Sequence, residues 1–235
     1  MPTQWLPLFP LNVVLFPHMP LPLHVFEPRY RKMIGDCLEE GHSFGVVAIR
    51  EGTETGPATP YDVGTLAKIV RIDRLEDGRM NLLVMGASRF EIVKTADDRP
   101  YLRGQIRIIP EMGDDLDTTA RLTEATAVTF REYSNLLRQL VGREPDDAEP
   151  PMEPELLSYL IAAAVNLQVP EKQSLLAEMR TDARLRLELR MLRKEIALLK
   201  QMVAHAGTAA TVRTSLNQAP PPPASQRGLA EDATV

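Results

Sequence analysis

The stretch LPLFPLNVVLFPHMPLPLHVFEPRYRKMI, residues 6–34, decides the fold because it combines the apolar residues of buried strands with six prolines. Proline has no backbone N–H and cannot donate to a β-ladder. Pro20 and Pro22 are two residues apart, so they remove two donors from the same edge of one strand. That strand can pair fully on one side only, which predicts a position at the rim of a sheet.

The same stretch predicts where the neighbouring elements begin and end. Pro7 and Pro10 are an odd number of residues apart and would interrupt both edges of a strand, so we expect the first strand to end near Phe9. Glu27-Pro28 predicts a helix start, because proline is tolerated at the first helical position and a carboxylate favours the positive helix end. Gly41 is the expected end of this helix.

Up to about Glu111 the remaining sequence predicts short strands of an antiparallel sheet or small barrel. Asp77-Gly78 supplies the positive φ that a tight hairpin requires between two of these strands. The segments with strand length and β-branched content are SFGVVAIRE, LAKIVRIDRL, MNLLVMGA, RFEIVKTA and YLRGQIRIIP.

From about Leu116 the hydrophobic period becomes helical. Pro154 and Pro170 stand where first helical residues are expected, and Asp182 is the expected N-cap of the last helix. The apolar stripe of that helix is too broad for a strict two-helix seam, so a core position in an intramolecular bundle is favoured over a dimerising coiled coil. From Gly207 the composition predicts a disordered tail.

Composition restricts the function classes. The chain has 235 residues, a formal net charge of -5 and one cysteine, so a disulfide within the chain and a thiolate metal cluster are excluded. We expect a cytoplasmic protein, since we find neither a signal peptide nor a run of the roughly 20 apolar residues that cross a bilayer. No Gly-Lys dipeptide occurs, which excludes a P-loop, and we expect no cofactor.

Nothing in the sequence demands catalysis. The four histidines are separated and lack metal-ligand spacing. Cys37 could be a nucleophile beside His24 or His42, but it lies on the apolar stripe of its helix, which favours a small buried side chain. A hydrolase therefore remains only as an alternative.

The blocks LPLFPLNVVLFPHMPLPLHVFEPRYRKMI, VGTLAKIVRIDRLEDGRMNLLVMGASRFEIV and LQVPEKQSLLAEM together resemble the N-terminal, substrate-binding domain of the Lon protease family. The resemblance implies an α+β fold with a PUA-like β-barrel lobe followed by a C-terminal α-helical bundle. We expect the barrel lobe, with one helix after its second strand, over 1–113, the helical lobe over 114–206 and the tail over 207–235.

The resemblance also implies a function. In Lon this domain helps to select unfolded or damaged proteins, so we expect a module that binds unfolded or extended polypeptide segments. The ATPase and Ser-Lys protease modules of Lon are not found in the sequence. We therefore expect a stand-alone, non-enzymatic protein, an adaptor in protein quality control that works with a separate protease or chaperone.

The candidate polypeptide-contact surface is the turn between the first two strands together with the groove between the lobes. Methionines can supply adaptable apolar contacts there, although they are also common core residues. The candidates are Phe16, Pro17, His18, Met19, Met80 and Met85. A second set belongs to the family signature, with the expected role of fixing the first helix against the barrel: Glu27, Pro28, Arg29, Tyr30 and Arg31.

The alternative function is RNA binding, because PUA-like barrels elsewhere bind RNA. Residues 178–200 contain seven basic and four acidic side chains, whereas residues 111–155 contain twelve acidic and four basic ones. Two helices that face each other with complementary charges account for this distribution. Net acidity and few aromatic residues disfavour nucleic acid as a partner.

Overall fold

The structure, a computed structural model, describes residues 3–41, 43–112 and 115–217, with side chains described through residue 204. Its strands are β1 (Gln4–Leu11), β2 (Pro20–Val25), β3 (Phe44–Gly52), β4 (Ala58–Pro60), β5 (Val63–Arg74), β6 (Met80–Ala96) and β7 (Arg103–Ile108). Its helices are α1 (Pro28–Glu40), α2 (Leu116–Leu140), α3 (Pro154–Ala164), α4 (Val169–Ala177) and α5 (Thr181–Asn217).

The strands close into a barrel in the order β1, β7, β6, β5 and β3. Closure depends on β1, which pairs antiparallel with β7 through residues 4–7 and parallel with β3 through residues 8–11. Strand β2 pairs antiparallel with β6, and β4 pairs antiparallel with β3. Helix α1 packs its buried face, which includes Met33, Ile34 and Cys37, onto the barrel core.

Strand β2 is an edge strand, as its prolines predict. It pairs with β6, with Leu21 opposite Val84 and Leu23 opposite Leu82. The N–H of Gly86 donates to the carbonyl of Met19, which places the odd-numbered residues of β2 on the bonded side. Both prolines of β2 therefore face the unpaired edge.

The expected end of the first strand is wrong. Strand β1 continues past Phe9 to Leu11. The strand changes partner between Pro7 and Leu8: residues 4–7 pair with β7, and residues 8–11 pair with β3. Pro7 and Pro10 therefore lie in segments with different partners, and neither partner strand loses donors at both prolines. This exchange of partners is a property of the closed barrel that a local pattern does not contain.

Strand β6 joins two of the expected strands into one element of 17 residues. Gly86 lies at the junction, against the turn that precedes β2. A Cβ atom on Gly86 would lie 2.1 Å from the carbonyl oxygen of Phe16, so only glycine permits this close approach. The hairpin between β5 and β6 contains Gly78 at φ 81°, as predicted.

In the helical lobe, α2 and α5 lie side by side and share a core with α3. Lys200 of α5 and Glu132 of α2 form an ion pair at 2.8 Å, one of the expected complementary contacts. Pro154 is the first residue of α3, as predicted, whereas Pro170 is the second residue of α4, which begins at Val169. In the described part of the chain no helix is both long and apolar enough to cross a membrane.

Two expectations about the last helix need correction. Helix α5 begins at Thr181, so Asp182 lies in its first turn and is not the N-cap. The Asp182 carboxylate instead accepts a hydrogen bond from Arg186 at 2.7 Å. The helix continues through Asn217, so residues 207–217 of the predicted disordered tail are helical, and residues 218–235 lie outside the described residues.

Candidate functional site

A cleft of about 540 Å³ lies between the barrel and the helical lobe. The barrel contributes residues 17–18, residues 85–89, Lys68 and Ile108. The connection after β7 contributes residues 109–111, and α3 contributes Glu155. We call this the interlobe cleft. Its size is typical of ligand-binding clefts, and its lining mixes apolar side chains with a few charged ones.

The barrel wall of the interlobe cleft contains a β-bulge. Ala67 pairs with Gly86 and Thr65 pairs with Arg89, so β6 has one residue more than β5 between these two pairs. The additional length brings Ala87 and Ser88 into the cleft lining, and Ser88 is exposed. Bulges bend a strand and redirect its side chains, and they are frequent beside binding sites.

Arg89, at the base of the cleft, connects the two lobes. Its side chain is 2% exposed. Its Nη1 donates hydrogen bonds to the carbonyl oxygens of Leu176 at 2.8 Å and of Glu178 at 2.6 Å. Its Nη2 lies 2.6 Å from Oε1 of Glu111. A barrel residue thus binds the backbone at the C-terminal end of α4 and the connection between the lobes at the same time.

Glu111 receives further contacts from the helical lobe. The Tyr159 hydroxyl donates a hydrogen bond to its Oε1, and Nη1 of Arg184 lies 3.3 Å from its Oε2. Burial raises the pKa of Tyr159, so its hydroxyl remains a donor. The Glu111 carboxylate is therefore held between two buried guanidinium groups, Arg89 from the barrel and Arg184 from the helical lobe.

His18 and Glu155 face each other at the mouth of the cleft. Nε2 of His18 lies 3.9 Å from Oε1 of Glu155. His18 is exposed and has φ 63°, the left-handed region that non-glycine residues seldom adopt. Partial burial raises the pKa of Glu155, and the neighbouring carboxylates of Glu111 and Glu153 raise it further.

Pro17, His18 and Met85 of the expected contact residues line the interlobe cleft, and of these three Pro17 is itself buried. Two others are corrected, because they are buried: Phe16 is 1% exposed and packs on Tyr159, and Met80 is 7% exposed in the barrel core.

Met19 is half-buried in the apolar cluster that joins the lobes. The sequence interpretation missed two methionines that are exposed at the joint between the lobes, Met112 and Met179, whose backbones are hydrogen-bonded to each other at 3.2 Å.

The signature residues at the start of α1 contact the barrel and its loops. Glu27 precedes the helix and Pro28 is its first residue. Arg29 bonds to the Glu27 carboxylate at 2.9 Å and to the carbonyl of Glu54 at 2.6 Å. The Tyr30 ring stacks on Phe9 with 4.1 Å between centroids, and Arg31 donates to the carbonyl of Asp77 at 3.2 Å. These contacts tie α1 to the barrel.

The alternative nucleophile is buried. Cys37 is 3% exposed in the core beneath α1, and burial raises its pKa to about 11. His24, one of its expected partners, is exposed and bonds to Asn81 at 2.7 Å, and His42 lies outside the described residues. No cluster of three or more His, Cys, Asp or Glu side chains that could hold a metal ion occurs among the described residues.

A second hollow, of about 420 Å³, lies in the helical lobe between α2, α3 and the connector 143–153. The connector forms part of its lining and is attached to α2: Arg138 donates to the carbonyl of Glu144 at 2.8 Å, and Asn135 accepts from the backbone N–H of Asp146 at 2.8 Å. None of the contact residues expected from the sequence lines this hollow, whereas three of them line the interlobe cleft.

Comparison with known proteins assigns this arrangement to a family. The family model of the ATP-dependent protease La (LON) substrate-binding domain matches residues 5–194. The chain belongs to the Lon substrate-binding domain family. It is 31% identical over 200 residues to the Lon protease of Anaeromyxobacter dehalogenans and 31% identical over 206 residues to Lon protease 2 of Myxococcus xanthus. These alignments cover 83% and 84% of this chain but 24% of each relative, so the chain spans about a quarter of their length.

Solved structures of Lon N-terminal domains confirm the α+β fold. A Lon N-terminal domain protein from Xanthomonas campestris has a TM-score of 0.58 and 28% identity, with 80% of this chain and 98% of that chain covered. The N-terminal domain of Mycobacterium avium complex Lon protease has a TM-score of 0.59 and 19% identity, with 81% and 98% covered, and shows the fold alone. The expected PUA-like barrel followed by helices agrees with both, and Lon family membership supports a role in substrate recognition.

Proposed function

We propose that this chain binds extended segments of other polypeptides in the interlobe cleft and releases them chemically unchanged. The supporting observation is an accessible cleft of mixed polarity at the joint of a Lon substrate-binding fold. Met85 and Ile109 offer apolar contacts, and the bulged backbone at Ala87 and Ser88 adds polar groups. Such a lining suits peptide segments of varied sequence, because adaptable apolar contacts combine with a few polar ones.

The proposed role includes no bond-breaking step. Cys37 is buried with a raised pKa, which is the opposite of an activated nucleophile. In the cell, a chain of this kind would act as an adaptor that presents bound segments to a separate protease or chaperone.

RNA binding is less well supported. Several cations of α5 already have partners inside the lobe: Arg184 contacts Glu111, Arg186 bonds to Asp182, and Lys200 pairs with Glu132. Fewer basic groups are therefore available for phosphate contacts than the sequence of α5 suggests.

Titration of a fluorescently labelled, reduced and carboxymethylated polypeptide tests the proposal by anisotropy. Ser88→Arg places a large side chain in the cleft at an exposed position, whereas Thr95→Arg makes the same change at an exposed position further along β6. We expect Ser88→Arg to weaken binding by about tenfold or more, equivalent to roughly 1.4 kcal/mol, and Thr95→Arg to leave it unchanged.

Equal effects of the two substitutions would place the binding surface elsewhere. A labelled RNA in the same titration supplies the competing outcome, since RNA affinity that falls steeply with salt would replace the polypeptide proposal. Mass spectrometry of the polypeptide after incubation checks that it is released intact.

A further inference from the structure

Glu155 is an acidic side chain at the mouth of the interlobe cleft. Its side chain is 33% exposed. In the described part of the chain its ion-pair neighbour is His18, at 3.9 Å, and it forms no ion pair with a lysine or arginine. Glu155 also belongs to the first turn of α3, where the Glu153 carboxylate accepts hydrogen bonds from the backbone N–H groups of Glu155 and Leu156.

The groups that face Glu155 leave an excess of negative charge. Glu111 approaches from the connection between the lobes and Glu153 from the residue before α3, and both raise the pKa of Glu155 together with its desolvation. His18 from the turn before β2 and Arg184 from α5 act in the opposite direction but more weakly. A partly desolvated carboxylate of this kind is stabilised by a cation that enters its site.

The other charged groups of the cleft are arranged differently. Arg89 and Glu111 are already paired at 2.6 Å. Lys68 lies on the barrel side of the lining, is exposed, and pairs in β5 with Met85 of β6. The two walls of the cleft thus carry opposite available charges, an anion on the helical lobe and a cation on the barrel.

We infer that Glu155 makes the cleft select polypeptide segments in which a lysine or arginine is flanked by apolar residues. This inference rests on the proposed function and specifies its substrate class. The long apolar stem of a lysine or arginine would lie along Ile109 and Pro110, and its charged end would reach the Glu155 carboxylate. The formal net charge of -5 attracts such segments from a distance as well.

Three fluorescently labelled peptides test this selectivity. They share one sequence of leucine, valine and alanine with a central lysine, glutamine or glutamate. We expect the wild-type protein to bind the lysine peptide about fivefold to tenfold more tightly than the glutamine peptide, and the glutamate peptide most weakly. Glu155→Gln should remove the difference between the lysine and glutamine peptides. Glu124→Gln, the same change at an exposed position of α2 outside the cleft lining, is the matched control and should retain it.

Each outcome separates the inference from the proposed function. A lysine preference that survives in Glu155→Gln overturns the inference. The inference is also overturned if the wild type binds the three peptides equally, or if it binds unfolded polypeptide but none of the peptides. In all three cases the proposed function still stands. If neither the peptides nor unfolded polypeptide bind, both are refuted. Far-UV circular dichroism of the two variants checks that the fold is retained.

Discussion

Glu188→Gln should abolish most of the pH dependence of folding stability between about pH 5 and pH 8. Glu188 lies on α5 and is 1% exposed. Its Oε1 accepts a hydrogen bond from Ser158 at 2.9 Å, and its Oε2 is buried without a hydrogen-bond partner among the described residues. It borders a closed void with no room for water, lined mainly by Ile161, Ala162, Val165, Leu167, Leu175 and Met191. Burial raises the pKa of Glu188 from 4.5 to about 8.

The sign of the effect follows from proton binding. Above pH 4.5 the unfolded chain has released this proton, whereas the folded protein retains it until the pH approaches 8. The stabilising contribution is therefore complete below the unfolded pKa and decreases as the pH rises, by about 1.4 kcal/mol per pH unit. Over the whole interval the loss is roughly 5 kcal/mol, a large part of the stability of a typical domain.

Urea unfolding followed by far-UV circular dichroism measures this difference. The free energy of unfolding of the wild type should fall between about pH 5 and pH 8, and that of Glu188→Gln should remain much flatter. Glu124→Gln, at an exposed position on α2, is the matched control and should follow the wild type. If the wild type and Glu188→Gln give parallel curves, then the carboxyl group does not hold its proton in the folded protein and the argument from burial is refuted.

Three further perturbations address the fold. Gly86→Ala should lower the free energy of unfolding, measured in urea, by about 1–3 kcal/mol, because the new Cβ would overlap the Phe16 carbonyl. Gly35→Ala is the control: its Cβ would enter open space, so this variant should be as stable as the wild type or more stable. Similar losses of stability in both variants would contradict this reasoning. Pro22→Val restores an N–H at the free edge of β2, so we expect the variant to self-associate as its concentration rises, which light scattering measures as an increase in mean mass. A variant that stays monodisperse at every concentration would argue against the role of Pro22 at this edge. Arg89→Met should lower the free energy of unfolding in urea by about 1–3 kcal/mol, because the half-buried Glu111 carboxylate and the carbonyls of Leu176 and Glu178 lose a donor. A variant as stable as the wild type would count against the lobe-joining role.

Local chemistry was sufficient to predict much of the fold. The spacing of Pro20 and Pro22 predicted an edge strand because backbone donors alternate along any strand. Pro28 and Pro154 predicted helix starts, and Gly78 a tight turn, because each residue restricts or extends φ in a way that few neighbours can override. These signals depend on the residue itself and on the period of its element, so they need no information from distant parts of the chain.

The buried charges could not be predicted in the same way. Arg89, Arg184 and Glu188 appear in the sequence as ordinary surface residues, since charged side chains are seldom fully buried. Their burial depends on partners supplied by the other lobe or by another helix, such as Glu111 for both arginines. The interlobe cleft has the same origin, because its walls come from elements that are distant in sequence.

The contact residues chosen from the sequence show where a local argument could have gone further. Met80 and Met85 are five residues apart, and an odd spacing in one strand directs two side chains to opposite faces. Leu82 and Val84 share the face of Met80 and are buried with it, whereas Met85 lines the cleft. The strand period alone would therefore have placed these two methionines on opposite faces. The burial of Phe16 has no such local signal, because it depends on the packing of Tyr159 from the other lobe.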